Sequence, residues 1–249
     1  IMIERSQEIL IGAALMQKVL GGCPAVVGIE DNKPEAIKAM SAALDALKAK
    51  SADYAGIRIQ ILKKKYPQGG EKQLIAAVMK REVKSMGLPI DVGAVVQNVA
   101  TSLAVYEAVQ KNMPLITNTM TITGDCLPQE RQHNYLFRIG MPLSYIAEYA
   151  GGVPQEAAKI VSGGPMMGKA IANMDACTVK GSSSLLYLTE KQTRRKAESN
   201  CIRCGKCADA CPIGLEPFLL NKCAKNGLMD ELEQYSVQDC IECGCCLYT

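Results

Sequence analysis

At 249 residues, with 48% hydrophobic residues and a mean hydropathy near zero, the chain has room for two or three domains with buried cores and the composition of a globular protein. No uncharged run of about 20 apolar residues occurs, so nothing in the sequence reads as a membrane span. A net charge of +3, with two Phe and no Trp, argues against nucleic acid as a partner, because no basic stripe interleaves with aromatics.

The opening Ile1-Met2-Ile3-Glu4-Arg5 lacks the basic and apolar regions of a signal peptide and reads as the middle of a longer sequence, with residues missing upstream. Apolar residues then recur at helical spacing (Ile9, Leu10, Ala13, Leu15, Met16, Val19, Leu20) and predict a helix over 4–20 that stops at Gly21-Gly22. The short apolar run 25–29 predicts a buried parallel strand. Asn32 and Pro34 supply a cap and a helix-starting proline for a helix over 34–50. Strands at 57–62 and 93–97, and helices at 71–79 and 101–110, continue a βαβαβα order, which means a parallel sheet with helices packed on it.

After Pro114 the texture changes. Residues 115–123 are rich in β-branched side chains, 135–139 follow after a loop, and a helix over 143–149 closes on Gly151-Gly152. A strand at 160–161 precedes the glycine-rich Ser162-Gly163-Gly164-Pro165, so this stretch reads as a small β-rich module. The run 190–200, with Lys191, Arg194, Arg195 and Lys196, has the composition of an exposed linker or solvated helix face. The division expected is therefore 1–113, 114–189 and 190–249, an α/β multi-domain chain whose first domain is built on a parallel sheet.

Of the twelve cysteines, all but Cys23, Cys126 and Cys177 fall between Cys201 and Cys246. A disulfide scaffold would staple the whole chain, so this crowding points to metal or cluster ligation and a reducing compartment. Cys201-x2-Cys204-x2-Cys207-x3-Cys211-Pro212 is the bacterial ferredoxin run, in which three thiolates wrap one cluster and the fourth ligates the other. A second run, Cys240-x2-Cys243-x2-Cys246, follows after a helical stretch carrying Cys223, and its fourth ligand would be the residue next after Thr249. By the crossed rule Cys211, Cys240, Cys243 and Cys246 hold one [4Fe-4S] cluster, and Cys201, Cys204 and Cys207 serve the other. Zinc also takes four thiolates and C-x2-C pairs, but three tandem cysteines with an x3-Cys-Pro extension favour two clusters. Cys223 and the off-register Cys245 read as packing residues, and Cys23, Cys126 and Cys177 as buried small hydrophobes. The lone His133, in a polar loop, reads as an exposed loop residue, and the sequence offers no catalytic side chain.

In the first domain, Tyr66-Pro67-Gln68-Gly69-Gly70-Glu71-Lys72 joins a strand to a helix, where glycines let backbone N–H groups approach an anion or a ring. Taken alone it could equally be a structural turn. The next predicted strand end, with Gln97, Asn98 and Thr101, adds polar side chains at the crevice where parallel sheets bind ligands.

These segments resemble the C subunit of the Rnf complex, the membrane-bound ferredoxin:NAD oxidoreductase, and more distantly the flavin-bearing subunit of respiratory complex I. The resemblance is carried by Lys65-Tyr-Pro-Gln-Gly-Gly-Glu-Lys72, Asp91-Val-Gly, Gln97-Asn98, Thr123-Gly124-Asp125, Ser162-Gly-Gly-Pro-Met-Met-Gly168, Lys180-Gly181 and both cysteine runs. It implies an FMN- and NAD(H)-binding first domain, a β-grasp-like (SLBB) second module and a C-terminal α-helical ferredoxin-like domain with two clusters. It also implies that Tyr66, Gly69, Gly70, Glu71, Asn98 and Thr101 surround the flavin; Gly70 and Lys72 depart from the complex I pattern. The family's Gly-Gly-Ala-Gly-Phe-Pro loop and Asn-x-x-Glu-Cys-Glu-Pro segment belong upstream of residue 1, so this chain by itself is expected to hold FMN weakly or not at all. The implied function is an electron-transfer subunit that passes electrons between NAD(H), FMN and the clusters. It would lie peripherally on the cytoplasmic side of the bacterial inner membrane, with other Rnf subunits as partners and ion translocation performed by them. A cobalamin reductase of similar modules, or a non-catalytic electron relay, are the alternatives.

Overall fold

The structure, a computed structural model, describes residues 1–194 and 197–249; Arg195 and Lys196 of the basic run lie outside the described residues. It falls into two compact units, Ile1–Pro114 and Leu115–Thr249.

In the first unit, α1 (Ser6–Val19) leads to β1 (Ala25–Glu30), α2 (Pro34–Lys48), β2 (Ile57–Leu62), α3 (Glu71–Met79) and α4 (Val99–Lys111). β1 and β2 pair in parallel, from Ala25 opposite Ile57 to Glu30 opposite Leu62. Pro34 opens α2, whose buried positions Ala36, Met40, Ala43, Leu44 and Leu47 recur at helical spacing and form one apolar face. That face joins Ile9, Leu10, Ile29, Ile57 and Leu103 in a single core. α1 and α4 lie backbone against backbone: a Cβ on Gly12 would sit 1.9 Å from the Ser102 carbonyl oxygen. The Ser102 hydroxyl donates to the Ile9 carbonyl at 2.7 Å. At the edge of the same contact, the Arg5 guanidinium bonds Glu8 and, at 2.6 Å, Glu107. Its bond to Glu8 holds the Arg5 guanidinium above its ordinary pKa and the Glu8 carboxyl below its own.

The strand expected over 93–97 does not form; among the described residues this sheet has two strands. The backbone there bonds locally instead. A 3-10 turn at Pro89–Val92 ends on Gly93 in the left-handed region (φ 70°), with Leu88 N–H donating to the Asp91 carboxylate at 2.8 Å. Gly93 and Ala94 N–H donate to Ile90 and Pro89 carbonyls, Arg81 bonds the Val92 carbonyl, and Val95 is exposed. Val95-Val96 is an apolar pair too short to outcompete these turns. The helix expected over 101–110 begins two residues earlier, because Asn98 caps it.

The second unit contains β3 (Thr117–Thr123), β4 (His133–Arg138), α5 (Leu143–Tyr149), β5 (Lys159–Ser162), β6 (Lys169–Ile171), β7 (Ser184–Leu188), α6 (Glu190–Thr193), α7 (Lys206–Asp209), α8 (Pro217–Lys225), α9 (Met229–Gln234) and α10 (Cys245–Tyr248). Its sheet has the order β4-β3-β7-β5-β6 among the described residues, with β3 and β7 parallel and the other pairs antiparallel. α5 covers one face, packing Leu143, Ile146 and Ala147 with Met120, Ile122, Phe137, Leu185 and Tyr187.

Two glycine motifs have structural roles here. Gly124 (φ 142°) passes so close to β7 that a Cβ would lie 2.0 Å from the Tyr187 carbonyl oxygen. The neighbouring Asp125 carboxylate accepts from Thr189 N–H at 2.9 Å and Oγ1 at 2.5 Å, bonds that hold its pKa below the ordinary value. In the β5–β6 hairpin, Gly168 N–H donates to the Gly164 carbonyl at 2.7 Å, and a Cβ on Gly168 would meet that oxygen at 2.5 Å.

Gly12→Ala is expected to force α1 and α4 apart and lower the stability of the first unit by about 1–3 kcal/mol or more, read from chemical denaturation. The Tyr187 hydroxyl is buried and has no hydrogen-bond partner among the described residues, and burial pushes its pKa up to about 12. Tyr187→Phe is therefore expected to raise stability by about 1 kcal/mol, measured in the same way, since it removes a desolvated polar group without opening a void.

Candidate functional site

The two cysteine runs fold as copies of one loop. In the first, Arg203 (φ 56°) and Gly205 (φ 80°) are left-handed and α7 begins at Lys206. In the second, Glu242 (φ 53°) and Gly244 (φ 78°) are left-handed at the same positions and α10 begins at Cys245. Alternating left- and right-handed residues turn successive N–H groups to one side of a loop, which suits an anionic centre. Backbone donors already reach sulfur: Arg203 N–H bonds Cys201 Sγ at 3.4 Å and Leu215 N–H bonds Cys211 Sγ at 3.3 Å.

Cys211 does not stay with the run that contains it. It lines a cavity of about 440 Å³ together with Cys240, Cys243, Cys245 and Cys246, walled by apolar side chains including Ile213, Leu220, Leu232 and Ile241. Cys201, Cys204 and Cys207 are not part of that lining; Cys201 and Cys204 are exposed and Cys207 is half-buried. Among the described residues no group of three or more His, Cys, Asp or Glu is gathered as ligands of a single ion. Burial, and then the neighbouring Cys240, Cys211 and Cys243, push the Cys246 thiol above its ordinary pKa. Thiols that crowd in an apolar pocket resist ionising together unless a positive centre draws them. Four soft sulfur donors with backbone N–H support and a water-poor wall form the donor set that an iron-sulfur core takes.

Two neighbours shape this cavity. α8 and α9 return the chain between the runs, and Cys223 on α8 is 3% exposed, with its thiol on the Glu231 carboxylate at 3.5 Å and its pKa raised by burial. The β5–β6 hairpin touches the second loop, where a Cβ on Gly244 would lie 2.9 Å from the Met166 carbonyl oxygen. The isolated cysteines differ from expectation. Cys23 and Cys177 are exposed and Cys126 is half-buried, because each sits in a surface turn or loop rather than on a core face.

In the first unit, Gly70 is the N-cap of α3 and Glu71 its first-turn acid; Tyr66 is 49% exposed and Gly69 borders open space. The Gln73 side chain folds back over Gly70, where a Cβ would meet its Oε1 at 2.4 Å. Lys72 Nζ donates to the Lys84 carbonyl at 3.4 Å. Gln97 and Thr101 are exposed, while Asn98 Oδ1 accepts from Ala100 N–H at 2.9 Å as the cap of α4. Asn98 thus has a structural role that the polar-turn signal did not reveal.

The structure thus defines a class of protein in which an α/β unit is followed by paired cysteine loops of iron-sulfur type. Residues 1–107 match the family described as Nuo51 FMN-binding domain, and residues 196–215 match the 4Fe-4S binding domain. The fold of the NAD+-reducing [NiFe]-hydrogenase in its H2-reduced state is similar, with a TM-score of 0.63 at 16% identity, covering 76% of this chain and 37% of that one. The C subunit of the proton-translocating ferredoxin:NAD(+) oxidoreductase complex of Clostridium ljungdahlii is 44% identical over 239 residues, 96% of this chain and 50% of the relative. Its Na(+)-translocating counterpart from Acetobacterium woodii is 37% identical over 239 residues, 96% of this chain and 52% of the relative. The chain is thus similar, along nearly all of its own length, to the C subunits of ion-translocating ferredoxin:NAD(+) oxidoreductases, and it spans about half the length of the curated relatives it matches.

Gly244→Ala is expected to strain the second loop and push it off the hairpin, lowering the melting temperature through a cost of about 1–3 kcal/mol. Asn98→Ala is expected to weaken α4 by about 1 kcal/mol, read as faster amide exchange in its first turn.

Proposed function

We propose that this chain is the flavin-side and cluster-bearing part of a peripheral electron-transfer subunit in an Rnf-type complex. Electrons pass between NAD(H) and two [4Fe-4S] clusters by way of FMN, and partner subunits in the membrane couple that flow to ion translocation. The modules are the FMN- and NAD(H)-binding domain 1–113, the β-grasp-like module 114–189 and the ferredoxin-like domain 190–249. Attachment to the cytoplasmic face of the membrane through the partner subunits is part of this proposal; among the described residues no helix is long and apolar enough to cross a membrane.

The observation that carries this reading is the cavity where Cys211, from the first run, meets Cys240, Cys243 and Cys246 from the second. A crossed ligand set is the signature of two-cluster ferredoxins, and it is not produced by two independent zinc loops. Cys201, Cys204 and Cys207 are the ligands of the other cluster. On the flavin side, Tyr66, Gly69, Gly70, Glu71, Lys72, Gln97, Asn98 and Thr101 are the contacts proposed, supported by the exposed Tyr66 and the open face of Gly69. Flavin supplies hydride chemistry when bound; the protein contributes position, burial and N–H bonds to sulfur.

Anaerobic reconstitution with iron and sulfide tests the cluster half. About four iron and four acid-labile sulfide per chain are expected at the cavity, and Cys211→Ala should lose them. Zinc without sulfide would overturn the assignment and the function built on it. Flavin extraction tests the other half: weak or no FMN with this chain, and FMN retained by a version extended upstream.

A further inference from the structure

The two cysteine loops share one backbone shape but not one environment. Gly205 and Gly244 stand at the same position with nearly the same left-handed torsion (φ 80° and 78°). Beyond its chain neighbours, a Cβ on Gly205 would meet no atom of the described residues within 4 Å. One on Gly244 would lie 2.9 Å from the Met166 carbonyl oxygen and 3.8 Å from Met166 Cε. The cysteine before each glycine differs in the same sense: Cys204 is exposed and Cys243 is buried. Met166 is half-buried while Met167 beside it is 57% exposed, so of the two only Met166 is packed at this contact.

The hairpin that carries Met166 is itself braced. Ser162 pairs with Lys169 across the β5–β6 hairpin and with Leu185 of β7, and Gly163 N–H donates to the Ser184 carbonyl at 2.8 Å. Gly168 closes the turn with no room to spare, since a Cβ there would lie 2.5 Å from both the Gly164 carbonyl oxygen and Val161 Cγ1. A turn locked into a sheet in this way presents its tip at a fixed height, and the second cysteine loop packs on that tip.

We propose that the β5–β6 hairpin clamps the second cysteine loop, with Met166 as the positioning residue, so that the site of Cys211, Cys240, Cys243 and Cys246 is shaped before any cluster is assembled while the first loop is not held in this way. What the shaped site receives rests on the cluster reading given above; the clamp is a property of the protein alone. A loop shaped in advance has less conformational freedom to lose when its ligands are gathered.

The test is the rate at which iodoacetamide alkylates each cysteine of the reduced, metal-free chain, resolved by peptide mass spectrometry, in the wild type, Met166→Ala, Gly168→Ala, Gly244→Ala and Gly205→Ala. Gly168→Ala strains the hairpin through contacts within it, and Gly205→Ala repeats the left-handed strain of Gly244→Ala at a loop without a hairpin against it. Gly168→Ala and Gly244→Ala are expected to speed alkylation of Cys243 by about tenfold or more, and Met166→Ala by a smaller factor, with Cys201 and Cys204 unchanged. Gly205→Ala is expected to leave Cys243 at the wild-type rate. Cys126, which packs against the core of the same unit, gauges folding: a rise there marks a Gly168→Ala chain that has lost its sheet, and Met166→Ala, which removes only the thioether side chain, then decides. A Cys243 rate unchanged in the folded hairpin variants would overturn the clamp. Reconstitution with iron and sulfide, run in parallel, tests the cluster reading separately: no bound iron and sulfide in the wild type would overturn that reading, while the alkylation rates, measured without metal, still decide the clamp.

Discussion

The meeting of Cys211 with thiols from the second cysteine run is the constraint on which the C-terminal part of the molecule depends. A chain that must leave one loop, travel outward and come back in register has little freedom in what lies between. α8 and α9 supply the return, and their apolar side chains become one wall of the cavity instead of a separate core. The loops meet the demand locally with a left-handed residue before the middle cysteine and a left-handed glycine after it, in both copies. Sequence spacing, backbone handedness and burial thus act toward one end, an apolar pocket lined by cysteines of both runs.

Much of this is legible in the sequence because its signals are local. The periodicity of α2, with Ala36, Met40 and Leu47 on one face, reports burial directly, and the apolar residues of β1 and β2 mark where the strands lie. The cysteine spacing encodes loop geometry, since two intervening residues leave only a few ways to turn. Signals fail where competition is decided by hydrogen bonds at a distance from the pattern. Val95-Val96 has the composition of a strand, but Asp91 and Gly93 engage the backbone in turns. β6 and β7 are not legible because Lys169–Ile171 is short and Ser184–Leu188 lacks alternation; each is defined by its partners in the sheet.

The candidate site follows the same division. Ligand spacing is a one-dimensional property, so the cysteine runs can be read without coordinates. The place of Cys245 cannot, because its position in the cavity lining depends on how the chain folds back from the first run to the second. Likewise Asn98 reads as a polar side chain at a strand end, and only the local backbone reveals that its oxygen is occupied as a helix cap.

The contact between α1 and α4 carries a consequence for how the first unit is made. Gly12 and Ser102 touch across nearly the whole length of that unit, so the apolar face bearing Ile9 and Leu10 has no cover from α4 until the last helix has been synthesised. Such long-range closure is slow relative to local helix formation. Until then α1 stays uncovered on that side, so a helix that precedes both strands of the unit in the chain is among the last of its elements to be sealed.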